Sequence, residues 1–278
     1  MALSPQPTPF FSEPTRFSMH PNRPILGVDF SGAALAGEKI WVSRCHFDGE
    51  TLNFDGLERA ADLPSGSAER DGALAALRSW ILSHESAACG LDFPFSLARE
   101  AIEDPDYASW LENFAARFPD AESLREGASH QKRVTDFAAK VPFAPLNLRL
   151  FRQTYYGIRD VLAPLHASGA CILPFDAPQN NRLWLLEICP ASLLKREKLY
   201  LSYKGHSAAQ RQNREIIARE MQSRTPFRWI DAMKTRALDD TQGDALDAIL
   251  AAICVHNALQ TADFGANEVE KFEGKVYF

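Results

Sequence analysis

Acidic residues end three apolar segments that are typical of buried strands. Asp29 ends the first segment, Asp92 ends the second, and Glu187 lies near the end of the third; the segments are 25–29, 87–92 and 182–190. Ligands of open α/β sheets bind outside the carboxyl ends of parallel strands, so Asp29 and Asp92 should meet if their strands are parallel neighbours. Each acid could instead cap the turn that follows it. The shared Gly-hydrophobe-Asp-Phe context of Asp29 and Asp92 favours a common site.

A late apolar segment carries two more aspartates. Residues 243–255 are apolar on nearly every side, apart from Asp244 and Asp247, and therefore predict a buried helix. The two acids share one face of the first turn, where the helix dipole favours negative charge. Capping accounts for Asp244, but Asp247 lies deeper among apolar neighbours, where a carboxylate needs a cation or a metal as partner. The segment contains no lysine or arginine, which favours a metal ion.

Together these acids predict a site for a hard divalent cation. Carboxylate oxygens suit Mg²⁺ and Mn²⁺, and such an ion removes the repulsion between clustered acids. In a two-metal site the ions stabilise the attacking and leaving oxygens of an in-line displacement at phosphorus. The predicted metal ligands are Asp29, Asp92, Asp244 and Asp247, and Glu187 completes the predicted catalytic set.

Basic residues near the end of the chain form a first candidate surface for substrate. Residues 194–236 carry an excess of Lys and Arg inside a chain of net charge −6. Arg211 and Arg214 are three residues apart on a predicted helix, and Lys204 precedes that helix. The pattern is compatible with a surface that binds the phosphates of a nucleic acid and equally with an ordinary solvated helix face.

A second candidate surface interleaves arginines with tyrosines. Arg133 and Arg152 are the basic members that we select, and Tyr155 is the aromatic one. Arginine can bind phosphate while an aromatic ring stacks on a base. Tyr155 could equally be a core residue of a helix, so both interpretations stay open.

The remaining segments predict one α/β domain. Further predicted strands are 39–47 and 51–57, joined by a hairpin turn at Asp48-Gly49, and the predicted helices are 68–86, 207–222 and 244–259. Residues 98–168 show helical patterns and predict a helical insertion on the core. A three-stranded antiparallel meander followed by parallel strands gives a mixed sheet with helices on both faces. We therefore expect a single domain over 25–278, preceded by a flexible arm over 1–24.

The composition excludes several classes of protein. A hydrophobic fraction of 46% excludes bulk disorder, and the net charge of −6 argues against non-specific coating of nucleic acid. The five cysteines are scattered and form no C-x-x-C pair, which favours reduced thiols over disulfides or structural zinc. No apolar run is long enough to span a membrane and no signal peptide is evident, so we expect a cytoplasmic protein without a membrane partner.

The order of these motifs resembles that of an uncharacterised family of predicted RNase H-like nucleases, domain-of-unknown-function family 429. The matching segments are Gly27-Val-Asp-Phe-Ser-Gly32, Gly90-Leu-Asp-Phe-Pro94, Leu186-Glu-Ile-Cys-Pro190, Asp244-Ala-Leu-Asp-Ala248 and the closing Phe272-Glu-Gly-Lys-Val-Tyr277. The resemblance covers nearly everything from Ile25 onward. The layout of the acids is also similar to that of RuvC-type junction resolvases, with an acid after the first strand, another after the fourth, and a pair in a late helix.

The resemblance implies an RNase H-like domain that hydrolyses a phosphodiester with two Mg²⁺ or Mn²⁺ ions, with nucleic acid as its partner. Two alternatives stay open. Actin-like ATP-dependent kinases and phosphatases also open with Gly-hydrophobe-Asp and a glycine turn, but they normally contain two duplicated halves, and this chain shows one opening meander. A binding protein that keeps the fold without turnover would turn one or more of the acids away from the site.

Overall fold

A seven-stranded mixed sheet forms the centre of the computed structural model, which describes residues 23–261 and 263–278. Its strands are β1 (Ile25–Asp29), β2 (Trp41–Phe47), β3 (Leu52–Arg59), β4 (Ala88–Leu91), β5 (Cys171–Leu173), β6 (Trp184–Glu187) and β7 (Phe227–Arg228). Their order across the sheet is β5-β6-β4-β1-β2-β3-β7. The first three strands are antiparallel neighbours, whereas β4, β6 and β5 run parallel to β1. The predicted α/β class with a mixed sheet is confirmed.

Helices cover both faces of this sheet. They are α1 (Arg70–Leu82), α2 (Tyr107–Arg117), α3 (Ala121–Gly127), α4 (Val134–Ala138), α5 (Phe151–Gly157), α6 (Ala163–Ala167), α7 (Pro190–Arg196), α8 (Ala208–Arg224), α9 (Asp231–Asp239), α10 (Asp244–Thr261) and α11 (Glu270–Glu273). On one face, α1 and α2 pack with α5 in a core that includes Leu26 and Val28 of β1. On the other face, α10 packs with α7 and α8 in a core that includes Ile25.

Two glycines allow α10 to lie directly on the strands. A Cβ atom at Gly27 in β1 would lie 2.4 Å from Ala248 O and 2.4 Å from Ala252 N of α10. At Gly90 in β4, a Cβ atom would lie 2.5 Å from Val255 Cγ2. Each glycine comes two residues before one of the strand-end aspartates. The repeated Gly-hydrophobe-Asp motif therefore combines a close helix contact with an acid on the same face of the strand, because side chains alternate with a period of two.

Among the described residues, five strands and α-helices were not predicted from the sequence patterns: β5, β7, α7, α9 and α11. The strands β5 and β7 have three and two residues and are too short to show an alternation of apolar and polar residues. Helix α9 has a polar sequence with only two buried apolar residues, Ala237 and Leu238, so it shows no apolar face. For the strands and helices that were predicted, the predicted and observed types agree and only the bounds differ. The predicted helix 68–86, for example, is observed as Arg70–Leu82.

Most of the predicted flexible arm, 1–24, lies outside the described residues. The described part includes Arg23, which is buried and firmly held. Its Nη1 donates to Ala87 O at 3.1 Å and to Arg182 O at 2.8 Å, and its guanidinium lies 4.0 Å from the ring centroid of Trp184. The prediction was wrong for this residue, because its donors satisfy carbonyl groups beside β4 and β6.

The long apolar helix α10 is a core helix of the sheet. Among the described residues no helix has both the length and the apolar character needed to cross a bilayer. All five cysteines are buried, and none forms a disulfide.

Candidate functional site

The four predicted aspartates meet at one end of the sheet. In the parallel register of β1 and β4, Asp29 and Asp92 occupy equivalent positions of neighbouring strands. Both share a strand face with the glycine two residues earlier, against which α10 packs. The first turn of α10 carries Asp244 and Asp247 to the same place. All four acids line one cavity of about 720 Å³.

Burial and mutual repulsion oppose full ionisation of this cluster. Asp29 is 8% exposed and Asp247 is 3% exposed. Burial, offset in part by the positive charge of Lys204, raises the pKa of Asp29 well above its usual range, and the other aspartates raise it further. Burial and the charge of Asp247 raise the pKa of Asp92 to about 8. Burial also raises the pKa of Asp244. The cluster therefore favours a cation among its oxygens.

One ammonium group already lies among the acids. Lys204 Nζ is 2.7 Å from Asp247 Oδ2 and 3.2 Å from Asp244 Oδ1. Burial lowers the pKa of Lys204, but the charges of Asp247 and Asp29 outweigh burial and raise that pKa above its ordinary value. Tyr203 donates its hydroxyl hydrogen to Asp247 Oδ1 at 2.7 Å. One ammonium group faces four carboxylates, so neutralisation of the fully ionised cluster is incomplete.

The chemistry of the donor set fits a hard divalent cation. Four carboxyl groups from two strand ends and one helix offer the oxygen ligands that Mg²⁺ and Mn²⁺ prefer. The side chains are not arranged as ligands, and within residues 23–261 and 263–278 no group of three or more His, Cys, Asp or Glu residues is placed to hold a metal ion. Lys204 instead occupies oxygens of Asp244 and Asp247. Binding of an ion therefore requires that Lys204 give up these contacts.

Glu187 borders the cavity but belongs to a different ion pair. Its Oε2 accepts from the backbone N–H of Phe95 at 2.9 Å and from Arg133 Nη1 at 2.8 Å, while Arg133 Nη2 donates to its Oε1. Arg133 also binds Asp136 Oδ1 through Nε at 3.0 Å. Both oxygens of Glu187 are thus engaged within the protein, so its predicted place among the catalytic acids is corrected to a structural one.

Three predicted substrate-binding residues are buried in the protein. Arg133 is 0% exposed, Tyr155 is 0% exposed and Arg214 is 2% exposed. Tyr155 donates its hydroxyl hydrogen to Phe118 O at 3.0 Å. Arg214 donates to Tyr203 O at 2.6 Å, which holds the segment that carries Lys204. The prediction that these side chains contact a substrate was wrong, because their polar atoms bind the chain itself.

The other three predicted substrate-binding residues are exposed. Arg211 pairs with Asp239 at 3.0 Å and also with Glu215, and Arg152 pairs with Glu122 at 2.5 Å. Neither arginine lines the cavity, whereas Lys204 does. Apart from Lys204, which lines the cavity, and Arg214, which is buried, the basic segment that the sequence suggested contributes exposed side chains with local ion pairs.

The cavity rim contains four residues that lie outside the predicted site. They are Lys39, Phe143, Arg149 and Tyr200. Lys39 stands alone before β2, and the other three lie in loops, so none of them carries a recognisable spacing. Arg149 belongs to the segment of interleaved arginines and tyrosines that contains Arg152 and Tyr155, and that pattern is the sequence signal that indicates it.

Comparison with models of known families, with curated proteins and with solved structures gives no match to this chain. The interpretation of the site consequently rests on its own residues and on their geometry.

Proposed function

We propose that this chain is a divalent-metal-dependent phosphodiesterase of the RNase H-like type that acts on nucleic acid. The observation that supports the proposal is the convergence of four aspartates, from the ends of β1 and β4 and from α10, in one cavity. The strand order β3-β2-β1-β4, with an antiparallel meander beside a parallel strand, fits the expected fold. The resemblance to domain-of-unknown-function family 429 belongs to the same proposal.

In this proposal Asp29, Asp92, Asp244 and Asp247 hold the metal. A divalent ion bound there supplies Lewis-acid chemistry, which stabilises charge on phosphate oxygens and lowers the pKa of a water molecule. Hydrogen bonds from neighbouring side chains hold two of these residues, Asp247 and Asp92, in place. Tyr203 orients Asp247, and Gln153 Nε2 donates to the backbone oxygen of Asp92 at 2.6 Å.

Lys204 has a second role in the proposal. Its ammonium lies beside Asp244 and Asp247 and becomes available when another cation neutralises them. A lysine ammonium binds phosphate oxygen as a compact positive charge. Lys204 then holds a non-bridging oxygen of the substrate at the floor of the cavity.

Charge removal at the aspartates tests the proposal. Asp29→Asn and Asp247→Asn should each lower Mn²⁺-dependent cleavage of bis(p-nitrophenyl) phosphate and of labelled oligonucleotides by at least about a hundredfold, since each removes a ligand charge. Glu187→Gln should keep cleavage within about tenfold of the wild type, because Arg133 holds that acid. Asp71→Asn, at a side chain 93% exposed on α1, is the charge-matched control.

Metal binding is measured separately by thermal unfolding. Mn²⁺ should raise the melting temperature of the wild type by mass action, and Asp29→Asn should remove that rise. A rise that persists in both aspartate variants would place the ion elsewhere and overturn the proposal. A rise without cleavage of any phosphodiester would favour the alternative of a binding protein without turnover.

A further inference from the structure

The cavity has an acidic floor and a basic rim. The floor acids are largely buried, whereas Lys39 and Arg149 at the rim are exposed. In the part of the chain that the structure describes, neither of these two side chains takes part in a salt bridge, unlike Arg152 and Arg211. Cations without an acidic partner can bind an anion without first breaking an ion pair.

Aromatic rings lie on the same rim. Tyr200 is 52% exposed, which is unusual for a large aromatic side chain, and it lines the cavity. Lys195 Nζ lies 5.1 Å from its ring centroid. Phe143 also lines the cavity, with Arg149 Cζ 5.7 Å from its ring centroid. Cations beside exposed rings are the combination that binds the phosphates and stacks the bases of a single strand.

The size and depth of the cavity favour a single strand over a duplex. A volume of about 720 Å³ falls in the range of small-ligand sites, roughly 300–1,000 Å³, so the cavity has room for one or two nucleotides and is too small for a double helix. Asp29 and Asp247 are almost fully buried, so a scissile phosphate must enter the cavity to reach them. A flexible single strand can bend a phosphate inward, whereas a duplex keeps its phosphates on a stiff outer surface.

We infer that the cavity binds single-stranded nucleic acid, with Lys39 and Arg149 on backbone phosphates and Tyr200 stacked on a base. The inference rests on the proposed function for the path of the phosphate to the floor. The residues that the sequence suggested for this task, Arg211 and Arg214, are engaged within the protein and do not contribute. With a net charge of −6, the chain binds through this local rim and not through a broad electrostatic surface.

Binding is tested on the full chain carrying Asp29→Asn, in chelator, so that cleavage does not interfere. Fluorescence anisotropy is recorded with labelled oligo-dT, oligo-U and duplexes of equal length across a salt series. Single strands should bind at least about tenfold tighter than duplexes, and the two single strands show whether DNA or RNA is preferred. Lys39→Ala with Arg149→Ala should weaken single-strand binding and make the salt slope shallower by about 1.4, at roughly 0.7 per phosphate contact.

The stacking role of the Tyr200 ring is tested in the same anisotropy assay. Tyr200→Ala should weaken single-strand binding by about 5- to 100-fold, and Tyr200→Phe should restore it, because stacking needs the ring and not the hydroxyl. Phe137→Ala, at a ring 67% exposed and outside the cavity, is the matched aromatic control. Lys234→Ala with Arg228→Ala removes the same charge from exposed sites outside the cavity.

Three results would overturn the inference: equal binding of duplex and single strand, equal weakening by the control charge pair, or equal weakening by Tyr200→Phe and Tyr200→Ala. Any of these, together with Mn²⁺-dependent cleavage of bis(p-nitrophenyl) phosphate by the wild type, leaves the proposed function standing. Single-strand binding that depends on the rim, in a wild type that cleaves no phosphodiester, supports the inference and contradicts the proposed function.

Discussion

Asp29, Asp92 and Glu187 all lie at the ends of parallel strands, yet they face different parts of the protein. Asp29 and Asp92 share the strand face of Gly27 and Gly90, on which α10 packs. The side chain of Glu187 lies on the same face of β6 as that of Leu185. Leu185 belongs to the core on the opposite face of the sheet from α10. A position at the strand end thus brings an acid to the edge of the sheet where the cavity lies. Whether the acid reaches α10 depends on which face of the strand its side chain occupies.

The raised pKa of Asp92 predicts a specific dependence of stability on pH. Because this pKa rises to about 8 in the folded protein, the folded state binds the proton more tightly than the unfolded state. The stabilisation is complete below about pH 4, the unfolded pKa, and is lost as the pH rises towards 8. Asp92→Asn, which has no charge to lose, should match the wild type near pH 4 and exceed its free energy of unfolding by about 1–3 kcal/mol at pH 9 in chelator.

Urea denaturation of both proteins across this pH range measures the difference. Asp71→Asn, at an exposed position of α1, serves as the control and should show no such trend. A variant at Asp92 that is less stable than the wild type at pH 9 would show that burial and the neighbouring acids do not oppose ionisation of Asp92. Saturating Mn²⁺ should reverse the order of the two proteins, because the wild type then gains a ligand for the ion.

At the scale of elements, the contact between α10 and the sheet sets the position of two of the acids. Gly27→Ala would place a methyl group 2.4 Å from backbone atoms of α10. Since that backbone has to shift, the free energy of unfolding should fall by about 1–3 kcal/mol or more. The displacement of Asp244 and Asp247 should also reduce the stabilisation by Mn²⁺ in thermal unfolding.

The matched control for this substitution lies in β3. A Cβ atom at Gly56 would lie 3.5 Å from the nearest atom, Arg44 Cβ, so Gly56→Ala should change stability by less than about 1 kcal/mol. Similar losses at the two positions would show that the close approach of α10 to Gly27 is not required.

The elements that hold the four aspartates were predictable because each of them has a strong local pattern. Apolar runs mark β1 and β4, and an almost uniformly apolar segment marks α10. The rim and the Arg133 ion pair were not predictable, because they depend on contacts between segments far apart in the sequence. Arg133 and Glu187 are separated by 54 residues, and no pattern in either segment indicates that they pair. Spacing alone likewise cannot show that Arg214 is buried, since its partners are the backbone oxygens of Tyr203, in a loop, and of Leu238, in the last turn of α9.

At the scale of the whole molecule, α10 completes one of the two cores. Thirteen of its eighteen residues are buried, and the helix packs on β1, β2 and β4. A chain that stops at residue 243 should therefore lose cooperative unfolding, since the apolar face of the sheet would lie open to water. Circular dichroism during heating measures this, with the complete chain as reference. A sharp transition in the shortened chain would show that the other core is sufficient.

The position of α10 late in the sequence has a consequence for protein synthesis. A ribosome that translates this chain releases Asp29 and Asp92 long before it adds residues 244 and 247. Most strands of the nascent chain therefore leave the exit tunnel before residues 244 and 247 are added. Until then the complete acidic cluster cannot form. Domains with such distant contacts form them late in folding. The four acids can therefore converge only after translation has passed α10, and a chain that ends before residue 244 contains no complete cluster.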